Sequence, residues 1–228
     1  MDSYFIMSVI FFLLSLLFVK IAARVQLSDG TSMQRGTIST SLAWQSSGIY
    51  LNIFPGVSSC LIVLGILYQG CEPPMKIANC YSLFLTSDPQ KQLDPGYPTP
   101  RQRIEFRSPN QADGTTFKYT WKHYLDRGVG TTQHFFHLMQ VFSTGDGGPV
   151  VTLDALSGKA TIVDFFRSCV DTRCPSIDIA ALEGRVTSHS MIVRYGPHGK
   201  LNYNVSDALT GTTLLSYNII GTMGTGGS

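Results

Sequence analysis

The stretch TFKYTWKHY, residues 116 to 124, sets Phe, Tyr, Trp and His at every second position and Lys, Thr and Tyr between them. Period two belongs to the β-strand, whose successive side chains point to opposite faces, whereas a helix needs apolar residues three or four apart. HFFHLMQVF, PVVTLDAL, KATIVDFF, RVTSHSMIVRY, KLNYNV and TTLLSYNII continue the pattern, separated by GDGG, LSGK, YGPHGK and ALTG. These separators carry the turn chemistry of hairpins. No convincing amphipathic helix interrupts the series. Many short strands, each needing one face buried, predict an all-β chain: an antiparallel β-sandwich of the jelly-roll kind over residues 101 to 228. No internal repeat points to a propeller or solenoid.

The first hundred residues read differently. Tyr4 to Val19 is a run of sixteen residues without a charge, followed by Lys20, Ala22, Ala23 and Arg24. Its length and the alanines suit a signal peptide, although Asp2 stands where positive charge is usual. Residues 1 to 25 are therefore expected to be a signal peptide or, uncleaved, a membrane anchor. Ile49 to Tyr68 is a second uncharged stretch, of twenty residues, but Asn52, Pro55 and Gly56 dilute it and its apolar end suits a buried strand. Residues 26 to 100 read as irregular chain and linker, possible contributors to the sandwich, with SDPQKQLDPGYPTPRQ as the clearest boundary.

Charge and cysteine narrow the classes further. Seventeen Lys and Arg against 15 Asp and Glu leave no excess for nucleic acid, which is excluded as a partner. The low charged fraction of 14% leans towards an exported chain, with membrane contact only if the N-terminal run is uncleaved. Of the five cysteines, Cys169 and Cys174 bracket a short loop and are the first expected disulfide, with Cys71 and Cys80 the next. Asn204 opens the sequon Asn204-Val205-Ser206, a glycosylation site in a secreted protein. No histidine and carboxylate spacing marks a metal site, and a structural calcium held by distant loops is the one ion left open.

Two segments carry candidate chemistry. RIEFR places Arg103, Glu105 and Arg107 on one strand face, where the carboxylate can hold the guanidiniums as an anion site, although a solvated charged face has the same pattern. In HFFHLMQVF, strict alternation puts His134, Phe136, Leu138, Gln140 and Phe142 on one face and Phe135, His137, Met139 and Val141 on the other. Parity alone does not say which face meets the core.

Taken in order, RIEFR, TFKYTWKHYL, HFFHLMQVFSTGDGGPVVTLDAL and GRVTSHSMIVRYGPHGKLNYNVSDALTGTTLLSYNIIGTMG resemble the fungal polysaccharide-lyase-like jelly rolls of the concanavalin A-like lectin/glucanase superfamily, which include glucuronan lyases and lie near the alginate lyases. The resemblance implies β-elimination on an acidic, uronic-acid polysaccharide, without a cofactor and by a secreted monomer. It implies Arg103 and Arg107 as carboxylate partners, Glu105 between them, and Lys118 and Lys122 as further substrate contacts. The family's Gln-x-His strand resembles Gln140-Val141-Phe142, where Phe142 stands in place of the histidine, leaving His134 on the same face or His137 on the other as candidate substitutes. Related chains continue into a strand bearing a catalytic tyrosine, so the resemblance also implies a domain short of its last strand. A non-catalytic, lectin-like protein that stacks sugars on its aromatic strand face is the alternative.

Overall fold

The computed structural model describes residues 25–28, 34–39, 42–46, 66–70, 80–85, 103–134, 136–167 and 174–226. The chain divides into two compact units, residues 1–37 with 44–106 and residues 38–43 with 107–228. The apolar run at 4–19 lies outside the described residues, as do Cys60, Cys71 and Cys169. No described helix is long and apolar enough to cross a membrane.

The stretch expected to be irregular contains strands. β1 (Val25–Ser28), β4 (Ile66–Gln69) and β5 (Tyr81–Phe84) make one three-stranded sheet in the order β1-β4-β5. β2 (Gln34–Ser39), β3 (Leu42–Ser46) and β6 (Ile104–Arg107) make another in the order β2-β3-β6. Each strand has only four to six residues, too few for alternation to show against a background of Ser, Gly and Gln. The apolar end of the Ile49 to Tyr68 run is β4, where Leu67 is fully buried. Gly36 lies so close to the Trp44 indole that a Cβ there would stand 2.5 Å from Nε1.

In the second unit two four-stranded antiparallel sheets form the sandwich. One has the order β11-β10-β9-β8, from β8 (Phe136–Ser143), β9 (Gly148–Leu156), β10 (Lys159–Asp164) and β11 (Ser176–Asp178). The other has the order β14-β13-β12-β7, from β7 (Thr116–Tyr124), β12 (Val186–Arg194), β13 (Lys200–Asp207) and β14 (Thr213–Ile220). Val151, Leu153, Ala160 and Ile162 of the first sheet and Met191, Val193, Leu201, Val205 and Leu215 of the second belong to one buried cluster. The β8–β9 turn is clasped by later chain: Gly145 N–H donates to Thr225 O at 3.0 Å, and Thr225 Oγ1 donates to Asp146 Oδ1 at 3.0 Å. Hydrogen bonds from Ser143 and Thr225 hold the Asp146 carboxyl below its usual range.

Polar groups inside the sandwich are paired into two networks. In the first, Thr187 Oγ1 donates to the His123 carbonyl at 3.1 Å, so it accepts from His189 Nε2 at 2.9 Å. That fixes the proton on Nε2, and His189 Nδ1 accepts from the Tyr203 hydroxyl at 2.7 Å. Trp121 stacks on the His189 ring with centroids 4.9 Å apart. Burial, and then the neighbouring His123, push the His189 pKa down to about 3.

The second network joins the sheets. The Asp164 side chain is fully buried, and its Oδ2 accepts from Tyr217 Oη and Arg167 Nε, each at 2.7 Å. Its Oδ1 accepts from the Phe166 and Arg167 backbone N–H groups. Asp164→Ala would strip these donors of their acceptor and leave the mostly buried Arg167 charge without its carboxylate, so we expect a loss of about 3–5 kcal/mol in urea unfolding. Tyr217→Phe removes one hydroxyl and is expected to cost about 1 kcal/mol by the same measurement. A fall of under about 1 kcal/mol for Asp164→Ala would contradict this account of the network.

Candidate active site

The geometry around β8 departs from strict alternation. Register runs Phe136 to Ala155 and His137 to Asp154, then skips Leu138 to pair Met139 with Leu153 and Gln140 with Thr152. Leu138 is thus the extra residue of a β-bulge, which leaves two residues on one strand opposite one on its partner. Residues directly opposed in an antiparallel pair share a face. Phe136, Met139 and Val141 therefore accompany Ala155, Leu153 and Val151 of the core, while His137 and Gln140 accompany Asp154 and Thr152 on the other side. Parity had separated His137 from Gln140; the bulge puts them together.

On that face His137 Nδ1 lies 2.5 Å from Asp154 Oδ1. Asp154 is almost wholly enclosed at 4% side-chain exposure, whereas His137 keeps 25%. An ionised carboxylate has no hydrogen to give, so in this bond Nδ1–H donates to Oδ1. A carboxylate that orients an imidazole and supports its protonated form is the arrangement of a general base. Beside it Thr152 Oγ1 is buried with no hydrogen-bond partner among the described residues, and Gln140 is exposed. Asp154 and Thr152 were not singled out in the sequence, where a lone acidic residue in VVTLDAL was the available signal.

Of the other expected site residues in this unit, His134, Lys118 and Lys122 are not brought to this face. His134 is exposed in a bend before β8, its backbone N–H bonded to Thr132 Oγ1, and is not part of the strand face that bears Gln140. Lys118 and Lys122 pair with Ile192 and Ser188, on the solvent side of the second sheet, so the structure does not bring them to the His137 face. The reason is topological: β7 and β8 are consecutive in sequence but lie in different layers. In the first unit, Arg103 Nη1 is 3.4 Å from Glu105 Oε1, which also accepts from Gln45 Nε2. Arg107, at the end of β6, is exposed. Asn204 pairs with Ser190 and Ser216 on the solvent side of β13. Cys80 and Cys174 are disulfide-bonded, and Cys169 lies outside the described residues.

The tyrosines of these strands are committed to the interior. Tyr195 Oη meets Tyr119 Oη at 3.0 Å, Tyr203 is held by His189 and Tyr217 by Asp164. Burial raises the pKa of all three, that of Tyr217 to about 12 with the Asp164 carboxylate adding to the effect. None can serve as a base near neutral pH. The aromatic face of β7 is also turned inward, with Tyr119 and Trp121 packed on the core. Among the described residues, no three His, Cys, Asp or Glu side chains converge as a metal ion would require.

No protein family, curated protein or solved structure matches this chain.

Proposed function

We propose that the protein is a lyase of acidic polysaccharides that cleaves by β-elimination at the β8–β9 face. The observation that carries this reading is the His137–Asp154 hydrogen bond at 2.5 Å with Gln140 on the same face. In the reaction His137 Nε2 takes the C5 proton of a uronate, the C4–O4 bond breaks as the C4=C5 double bond forms, and the leaving O4 takes up a proton. Gln140 Nε2 donates to the substrate carboxylate, lowering the cost of charge developing there. The tyrosine base expected from the resemblance is not needed, because the imidazole can return the proton it removes. The disulfides at Cys80 and Cys174 suit the exported, oxidising setting in which such polymers are met.

Purified protein is to be mixed with glucuronan, alginate and polygalacturonate, and the ultraviolet absorbance of the unsaturated uronate followed. A rising signal is expected with one of them, and Gln140→Ala should lower its rate roughly 10–100-fold, as loss of one transition-state hydrogen bond does. Folded protein that gives no unsaturated product from any of the three would remove the lyase reading. The lectin-like alternative would then have to rest on residues other than Tyr119 and Trp121, since these pack inward.

A further inference from the structure

The solvent side of the second sheet has a charge distribution that the chain as a whole lacks. Register sets Arg194 opposite Lys200, and Lys118 in the adjacent cross-strand row opposite Ile192; Lys122 lies two rows further on, opposite Ser188. These four cations are exposed, and among the described residues none is in an ion pair. No Asp or Glu faces solvent from the four strands: their one acidic residue, Asp207, pairs with Thr187 in the inward register. The whole chain carries 17 basic and 15 acidic residues, and a face that only needs to stay hydrated mixes both signs. Between the cations stand short hydrogen-bonding side chains such as Ser190, Asn202, Asn204 and Asn218. Ile192 and Ile220 are 41% and 77% exposed on the same side, and offer flat apolar contact.

We infer that this face is a docking surface for a carboxylate-bearing polysaccharide, separate from the His137 site. Four strands spaced about 4.8 Å apart give a platform roughly 15 Å wide, on which an extended polymer can lie. The cations meet carboxylates, Ser and Asn meet hydroxyls, and the isoleucines meet the C–H faces of sugar rings. Nucleic acid is poorly served, since no aromatic ring among the strands' outward positions except Tyr124 could stack on a base. The choice of a uronate polymer rests on the lyase reading; the polyanion-binding face does not. The surface would hold the enzyme on its substrate independently of turnover.

The test is affinity electrophoresis of the full chain through gels containing alginate or polygalacturonate, with neutral β-glucan and duplex DNA as controls. Lys118→Gln with Lys122→Gln, and Arg194→Gln with Lys200→Gln, should each weaken retention roughly tenfold and flatten its salt dependence. His137→Ala should be retained as the wild type is, so that loss of turnover and loss of docking are read separately. Folded double variants retained like the wild type, or wild type retained equally by DNA, would overturn the inference. A glycan on Asn204 would occupy the centre of this face, so wild-type protein shown by mass spectrometry to carry one, and not retained, would also overturn it.

Discussion

His137→Ala is expected to lower the rate of uronate elimination by roughly 10²–10⁴-fold, the usual contribution of a positioned general base. The substitution removes both the lone pair that takes the proton and the group that Asp154 Oδ1 meets at 2.5 Å. Because it also leaves a nearly buried carboxylate without its partner, His137→Gln is the companion variant, since its amide can still donate to Asp154 without acting as a base. Both should fail in turnover, and His137→Gln should keep near-wild-type thermal stability. Asp154→Asn should slow kcat more than it changes KM, because its effect comes through the imidazole rather than through substrate contact. His134→Ala, in the exposed bend, should change neither. A folded His137→Gln with wild-type rate would eliminate the imidazole as the base.

The second large effect concerns stability. His189→Ala opens a cavity under Trp121 and deprives Thr187 and Tyr203 of their hydrogen-bond partner, so unfolding at about pH 7 should lose roughly 3 kcal/mol or more. Its pH signature follows from the depressed pKa of about 3 in the fold against 6.5 when unfolded. Between those values the unfolded chain binds the extra proton, so stability rises with pH and is lost as pH falls from 6.5 towards 3. From about pH 7 to pH 5 this one ring should withdraw about 2 kcal/mol from the wild type. His123, lowered by burial, acts in the same direction. In the His189→Ala variant the acid slope should flatten by that amount in urea titrations at the two pH values. Equal slopes for variant and wild type would show that the ring is protonated inside the fold, contrary to the hydrogen-bond assignment.

How much of this could be read from the sequence depended on whether alternation survived. Along β7 it did: Phe117, Tyr119 and Trp121 pair with Val193, Met191 and His189 of the interior, and Lys118 and Lys122 point away, as parity predicts. Over residues 26 to 100 it could not, because β1 to β5 are too short to display a period. Along β8 it misled, because no glycine or proline marks the bulge at Leu138, and its cause is the pairing with β9 rather than any local preference. The buried carboxylates Asp154 and Asp164 were hidden for a related reason. Their partners, His137 and Tyr217, are distant in sequence and come together only when strands pair and sheets stack.

The bulge also bears on what such a site tolerates. An inserted residue would invert the sidedness of everything beyond it if the strand stayed regular, but taken up as a bulge it leaves both flanks opposite the residues they already face, here His137 opposite Asp154 and Met139 opposite Leu153. Met139 and Val141 keep their places against Leu153 and Val151 whether or not Leu138 is present. Deleting Leu138 would leave a regular strand, with His137 still opposite Asp154 and Met139 still opposite Leu153. The pairing at this face would then persist through a change of length at position 138, a tolerance that comparison of substitutions alone would not register.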